Sequence, residues 1–178
     1  MKRLLPLAAL AILTVSGCTT PSKAQEPASS PNDPTIVAIF DDANTADIET
    51  GQLAAEKGKS HAVREFGGML ARDHKAVRQQ GRDLATRLGM TPTPPADQSS
   101  AKAHAEAMAT LRAKKGADFD RAFLDHEVAF HQAVIDAVKG TLLPAIQNAE
   151  LKELVIKVAP AFEAHRAMAA DMRKKLGS

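Results

Sequence analysis

The 178-residue sequence has no tryptophan, no tyrosine and a single cysteine, Cys18. Each scarcity removes a class of explanation. Without a second thiol there is no internal disulfide, so the fold has to stand on packing alone. Without tyrosine or tryptophan, and with no basic cluster interleaved with aromatics, nucleic-acid binding finds no support. The longest uncharged apolar run, Leu4 to Val15, is shorter than the roughly 20 residues that cross a bilayer. No strand-like alternation and no repeat at a fixed period is present, and neither a nucleophile elbow nor a zincin motif occurs. Glu-x-x-His, the ligand pair of carboxylate di-iron bundles, is missing as well; Glu163-Ala164-His165 has the wrong spacing. The sequence therefore offers no enzyme class a motif to stand on, and it favours a protein without catalysis.

What is present begins with an export signal. Lys2 and Arg3 precede the short apolar run, which reads as a signal peptide and not as a spanning helix. The run ends in Val15-Ser16-Gly17-Cys18, which resembles a bacterial lipobox. That resemblance implies cleavage after residue 17, lipidation of Cys18 and a membrane partner reached through the lipid. Thr19 follows the cysteine where an inner-membrane retention signal would place aspartate, so the expectation is an outer-membrane anchor facing the periplasm. An ordinary cleaved signal that happens to contain a cysteine is the alternative. Removing Lys2 and Arg3 from the 23 basic residues leaves 21, against 21 acidic ones, so the mature side chains are balanced.

Residues 18–33 then read as the lipidated cysteine and a tether. Pro21, Pro27 and Pro31 stand among small polar residues, with no large apolar side chain to bury. Extended at ~3 Å per residue, such a segment reaches about 45 Å. Residues 34–178 are about the size of one domain.

That domain is rich in good helix formers, and its prolines and glycines cluster at a few breakpoints. The signals predict a helix from Asp33-Pro34 to about Lys57, and a second capped by Ser60 and running to Leu88. A loop through Thr91-Pro92-Thr93-Pro94-Pro95 follows, then a short Ala-rich helix from Ser99 to Lys114. A helix capped by Asp118 and running to Lys139, a break from Gly140 to Pro144, and a last helix capped by Asn148 complete the reading. The expected fold class is all-α: a four-helix bundle with one short extra helix.

The apolar stripes single out polar residues that face inward. Val63, Phe66, Leu70, Val77, Gly81, Leu84 and Leu88 recur at helical steps, and His74 fills the one gap. His165 sits within the stripe of Leu151, Leu154, Val158, Phe162, Ala169 and Met172. Glu127 lies inside the Phe119–Val138 stripe, with His126 and His131 at its margins. In the first helix, Phe40, Ala43, Asp47, Gly51 and Ala54 form one stripe; Ile39, Ala46 and Leu53 suggest another that brings Glu49 closer. Glu49, His74, His131 and His165 all lie some 20–26 Å along their helices at a 1.5 Å rise, near mid-bundle. The candidate metal ligands are therefore His74, His131 and His165 with Glu127 or Glu49, a donor set that suits zinc, copper, nickel or iron. The alternative is a mutual polar network without metal. Pro160, inside the last helix, is expected to kink it shortly before His165.

Several of these pieces together resemble a known family. Glu49 with Leu53-Ala54, Phe66-x-x-Met69-x-x-x-Asp73-His74, Gly116-x-x-Phe119-Asp120 with His131, and Pro160-x-x-x-x-His165 are similar to the exported bacterial family catalogued as domain of unknown function 4142. The resemblance covers about residues 35–175 and implies a ferritin-like bundle and an envelope location, with no established activity. Two functions follow. One is an envelope lipoprotein whose bundle binds a transition metal such as zinc, copper or iron. The other is a non-catalytic structural or protein-interaction lipoprotein without metal, its protein partner unnamed by the sequence.

Overall fold

The computed structural model describes residues 30–177. The signal peptide, Cys18 and most of the tether lie outside these residues. The described part is helical throughout, with no strand. α1 spans Asp33–Lys57, α2 His61–Arg87, α3 Ser99–Ala113 and α4 Gly116–Ala137. A π-helical segment, Val138–Leu142, and a single turn, Leu143–Ala145, extend α4 before α5, Ala149–Leu176. None of the described helices is long and apolar enough to cross a membrane.

α1 and α2 form the closest pair, and α4 and α5 the second. α1 and α2 run so near each other because Gly51 and Gly67 meet at the crossing. A Cβ on either would stand 2.6 Å from the other's carbonyl oxygen. The connection from α2 to α4 is a single long crossover, the link that ferritin-like bundles also use, and α3 is built into it. α3 lies against α1 and α4. Its buried residues are Met108 and Leu111, so it is held along one edge only.

Ser60 and Asn148 cap α2 and α5 through their side-chain oxygens, as their sequence positions imply. Other termini differ from the expectation. Asn32 caps α1, not Asp33, and the Asp33 carboxylate instead accepts the Gln147 and Asn148 backbone N–H groups at 2.9 and 2.7 Å. α4 starts at Gly116, whose φ of 57° only glycine adopts readily, so Asp118 falls in the first turn and caps nothing. Asp120 performs the analogous task across the bundle: its buried carboxylate accepts the Lys59 and Ser60 N–H groups at 2.7 and 2.9 Å. Gly140 does not break the chain direction, because the π-helical segment carries the helix past it. α5 continues through Pro160, which stands on an exposed face, so the Ile156 carbonyl it deprives of a donor lies on the solvent side.

The core has two apolar halves. One contains Ile36, Leu84, Ile135, Leu151 and Phe162; the other contains Val63, Leu70, Phe119, Phe123 and Ala169. Along each bundle helix the chain passes from one half to the other through polar side chains: Asn44 and Asp47 in α1, His74 in α2, Glu127 and His131 in α4, and His165 in α5. All of these side chains are buried. The bundle is therefore a sandwich of apolar, polar and apolar layers.

The glycine crossing gives a direct test. Gly67→Ala should cost about 1–3 kcal/mol, because backbone and not a flexible side chain must give way. Gly68→Ala, which meets only the Arg72 guanidinium at 3.4 Å, should gain up to about 1 kcal/mol from helix propensity. Urea unfolding of the two variants compares them, and equal effects would remove the close approach as the reason for glycine at position 67.

Candidate metal centre

The polar layer is built from single side chains that their helices leave no choice but to bury. His74 and His165 occupy stripe positions, flanked along their helices by apolar residues of both core halves. Their exposures are 1 % and 4 %, and that of His131 is 0 %. The three rings form a nearly equilateral triangle, with centroid separations of 5.6 Å (His74–His131), 5.1 Å (His74–His165) and 5.5 Å (His131–His165). Each offers a nitrogen within 4.8 Å of the other two. The Phe162 ring packs against His74 and His131 and closes the layer on one side.

The outward nitrogen of every ring has its own acceptor, and this settles the tautomers. The Asn44 amide nitrogen donates to the Phe40 carbonyl at 2.7 Å, so its oxygen faces His74. His74 Nδ1 must then carry the proton, donated to Asn44 Oδ1 at 3.0 Å. His131 Nδ1 donates to the Glu127 backbone carbonyl at 3.0 Å, and His165 Nε2 to Asp73 Oδ2 at 3.0 Å. In neutral rings this leaves His74 Nε2, His165 Nδ1 and His131 Nε2 as bare lone pairs. His74 Nε2 and His165 Nδ1 stand 3.2 Å apart, and His131 Nε2 is buried with no partner. Two facing lone pairs repel unless a cation lies between them.

A proton is poorly placed to be that cation. Burial first, and then the His131 and His165 charges, push the His74 pKa down to about 2. Burial lowers that of His165 too, against the opposing pull of the Asp73 hydrogen bond. Pairs of ligands held at 2.0–2.1 Å around a tetrahedral ion stand about 3.3 Å apart, close to the observed 3.2 Å. The acceptors behind the rings are those that orient metal-bound histidines in general.

Two buried carboxylates complete the layer. Asp47 Oδ2 lies 3.4 Å from His74 Nδ1, and Glu127 Oε2 lies 3.4 Å from His131 Nδ1. Asp47, Glu127 and His131 together offer a second set of ligand atoms within 4.8 Å of one another. No donor from the rest of the described residues reaches the four carboxylate oxygens, and the one hydrogen bond open to them is a proton shared between Asp47 and Glu127. Unpaired buried carboxylates are expensive, and burial, followed by the Glu127 charge, raises the Asp47 pKa well above the usual carboxylate range. Three neutral imidazoles, two carboxylates and a dication would make an uncharged whole. The residues fit a metal ion on this count as well as on geometry.

The structure brings His74, His131, His165 and Glu127 together and leaves Glu49 out. Glu49 is half-exposed and accepts from His104 Nε2 at 2.9 Å on the surface. Two residues are about 200° around a helix, so Asp47 and Glu49 face opposite ways. The stripe through Ala43, Asp47 and Gly51 is the one that turns inward. Asn44 and Asp47 are thus the functional candidates that the Glu49 expectation displaces, although Asp47 stands openly in the first helix's stripe. Nothing in the sequence pattern points to Asn44 as the group that sets the His74 tautomer. His126 is largely shielded, stacks on Phe130, and has its pKa lowered by burial.

With fold and layer described, the chain can be compared with known proteins. The family described as Domain of unknown function (DUF4142) matches residues 18–172. The chain belongs to that family. No curated protein matches it. Two solved structures share its helical bundle. "CopM in the Cu(II)-bound form" is 14 % identical with a TM-score of 0.63, and the match covers 82 % of this chain and 98 % of that one. A DUF305 fragment from Deinococcus radiodurans is 18 % identical with a TM-score of 0.66, covering 82 % and 99 %. At these identities the likeness establishes the fold alone.

The buried histidine also sets a pH response for the metal-free protein. With a folded pKa near 2 against an ordinary 6.5, His74 takes up its proton only on unfolding. Its contribution is complete above about pH 6.5 and is lost as the pH falls toward 2, by up to about 1.4 kcal/mol per unit. Asp47 acts in the opposite sense, since its raised pKa favours the folded state at low pH. Melting temperature should therefore fall between pH 6.5 and 4 in chelator-treated wild type, and less steeply in His74→Asn. An equally steep limb in the variant would assign acid unfolding to other groups.

Proposed function

We propose that this protein is an envelope lipoprotein whose helical bundle binds one divalent transition-metal ion in its polar layer. His74 Nε2, His131 Nε2 and His165 Nδ1 are the imidazole donors. Asp47 and Glu127, beside the Nδ1 atoms of His74 and His131, supply the negative charge that balances the ion. Asn44, Asp73 and the Glu127 carbonyl orient the rings. The observation that carries the reading is the pair of unprotonated nitrogens facing each other at 3.2 Å, each with its far nitrogen already committed to another acceptor. A metal-free network leaves these nitrogens and His131 Nε2 without donors, and offers Asp47 and Glu127 only a proton shared between them.

Imidazole and carboxylate together suit zinc, copper(II), nickel or iron(II), and contain no thiolate or thioether to select copper(I). Copper belongs among the ions to try, because the fold neighbour CopM has been solved with Cu(II) bound. Binding, storage or buffering of the ion is the activity proposed.

Tag-free protein should retain close to one equivalent of Zn(II) or Cu(II) after gel filtration, read by elemental analysis. At 100 times the dissociation constant the ion should stabilise the fold by about 2.7 kcal/mol, or about 5–10 °C in melting temperature. His131→Ala and Asp47→Asn should weaken binding, and Glu49→Gln should leave the stoichiometry unchanged. Wild type that melts at the same temperature with and without every ion tried would refute the metal reading and favour a structural or interaction lipoprotein.

The envelope half of the proposal rests on Val15-Ser16-Gly17-Cys18. Lipidation at Cys18 would make the outer membrane the protein's partner and place the bundle on the periplasmic side. Mass spectrometry of the mature N-terminal peptide should find acyl chains on Cys18, and Cys18→Ala should release a soluble form or leave the precursor uncleaved. An unmodified Cys18 thiol in the wild type would end the lipoprotein reading.

A further inference from the structure

A layer exposed to solvent by only a few per cent needs a way in, and a second group of metal-binding side chains stands outside it. Three helices converge there. α3 packs against both α1 and α4, which places His104 beside Glu49 of α1 on one side and toward His126 of α4 on the other. His104 Nε2 and Glu49 Oε2 are 2.9 Å apart. The His104 side chain is 22 % exposed and that of Glu49 48 %, so solvent reaches the pair. The other ring nitrogen, His104 Nδ1, is buried and has no hydrogen-bond partner. His126 stands within electrostatic reach of His104, and also of Glu127 and His131 in the buried layer. Its ring stacks on Phe130, one turn further along α4.

Glu49 and His104 are thus donors that solvent reaches, and His126, next to Glu127 in the chain, is in electrostatic reach of both His104 and His131. Every member is a carboxylate or an imidazole. A surface ion pair alone would account for Glu49 and His104. It would not account for a shielded second nitrogen on His104, or for a further histidine in electrostatic reach of both His104 and the buried His131.

We propose that Glu49, His104 and His126 form an outer landing site where a divalent transition-metal ion is first captured before it passes to the buried layer. This rests on the buried layer being a metal centre. The outer residues are not gathered tightly enough to hold the ion as the inner ones would; they raise its local concentration and exchange it inward. α3 is suited to give way during that exchange, because its buried residues, Met108 and Leu111, lie in its C-terminal half and the His104–Glu49 pair, which the incoming ion would break, holds the turns before them.

Loading kinetics test the proposal. The chain has no tryptophan or tyrosine, so Co(II) absorbance in a stopped-flow instrument is the convenient signal. Full-length, tag-free, chelator-treated wild type, His104→Ala and His126→Ala would be mixed with excess Co(II), and the final stoichiometry measured by equilibrium dialysis. The expected result is about tenfold slower loading in each variant, equivalent to losing about 1.4 kcal/mol of capture by one imidazole ligand, with the same final one equivalent of Co(II). Loading that is unchanged or faster in both variants would overturn the landing site while leaving the buried centre standing. A wild type that takes up no Co(II) and no other ion would overturn the buried centre, and the landing site with it.

Discussion

The structure depends on a conflict of lone pairs at the centre of the bundle. His74 and His165 direct unprotonated nitrogens at each other across 3.2 Å, and neither ring is free to turn its proton inward. Moving the His74 proton to Nε2 would supply His165 Nδ1 but set the bared Nδ1 against Asn44 Oδ1, two acceptors 3.0 Å apart; turning His165 would break the bond to Asp73. Asn44 cannot relieve the conflict by flipping, because its amide nitrogen is held by the Phe40 carbonyl. The tension is thus locked in by groups that do not themselves touch the centre. An uncharged core would be cheaper to build, and replacing buried ionic groups by apolar ones is often neutral or stabilising. A layer this unfavourable when empty is best understood through what fills it.

Charge leads to the same answer by another route. Asp47 and Glu127 place two acidic groups within a few ångströms of each other, both of them buried. Burial drives at least Asp47 toward its protonated form. A dication removes that pressure, because both carboxylates can ionise and the layer becomes neutral overall. The two apolar halves of the core serve this arrangement by excluding water, which strengthens each ligand interaction and leaves no competing ligand. Packing and electrostatics are coupled here: the halves supply the stability that an empty polar layer consumes.

The sequence revealed more of the fold than of the site. Helix number, order and most boundaries were readable because apolar residues recur at helical steps and because Pro92, Pro94, Pro95, Gly89 and Gly116 punctuate the chain. His74 and His165 were legible for the same reason, each being a polar residue in an otherwise apolar stripe. His131 and Glu127 could be placed through their four-residue spacing on one helix. The first helix was the point of failure. Its two weak stripes each contain small residues, since Gly51 must let α2 approach, and small residues carry little periodic signal. The stripe with Asp47 is the buried one, and reading Glu49 inward turned the helix by about half a revolution. The roles of Asp33 and Asp120 were illegible for a different reason. Each carboxylate caps backbone groups more than fifty residues away, and helix-cap patterns are local.

That last pair shows how the distant parts of the fold govern the centre. Asp120 holds the start of α2 against α4, and Asp33 holds the start of α5 against α1, at opposite ends of the bundle. The Gly51–Gly67 contact then fixes the depth at which α1 lies on α2. Between them these three restraints determine how far each helix may slide, and a slide of one residue moves a side chain by about 1.5 Å along the axis and 100° around it. Either displacement would separate His74 from Asn44, free the ring to change tautomer and dissolve the lone-pair conflict. The facing lone pairs are therefore a property of helix register as much as of the histidines that carry them. In a chain with no internal disulfide, that register is kept by two carboxylate clamps and one pair of glycines.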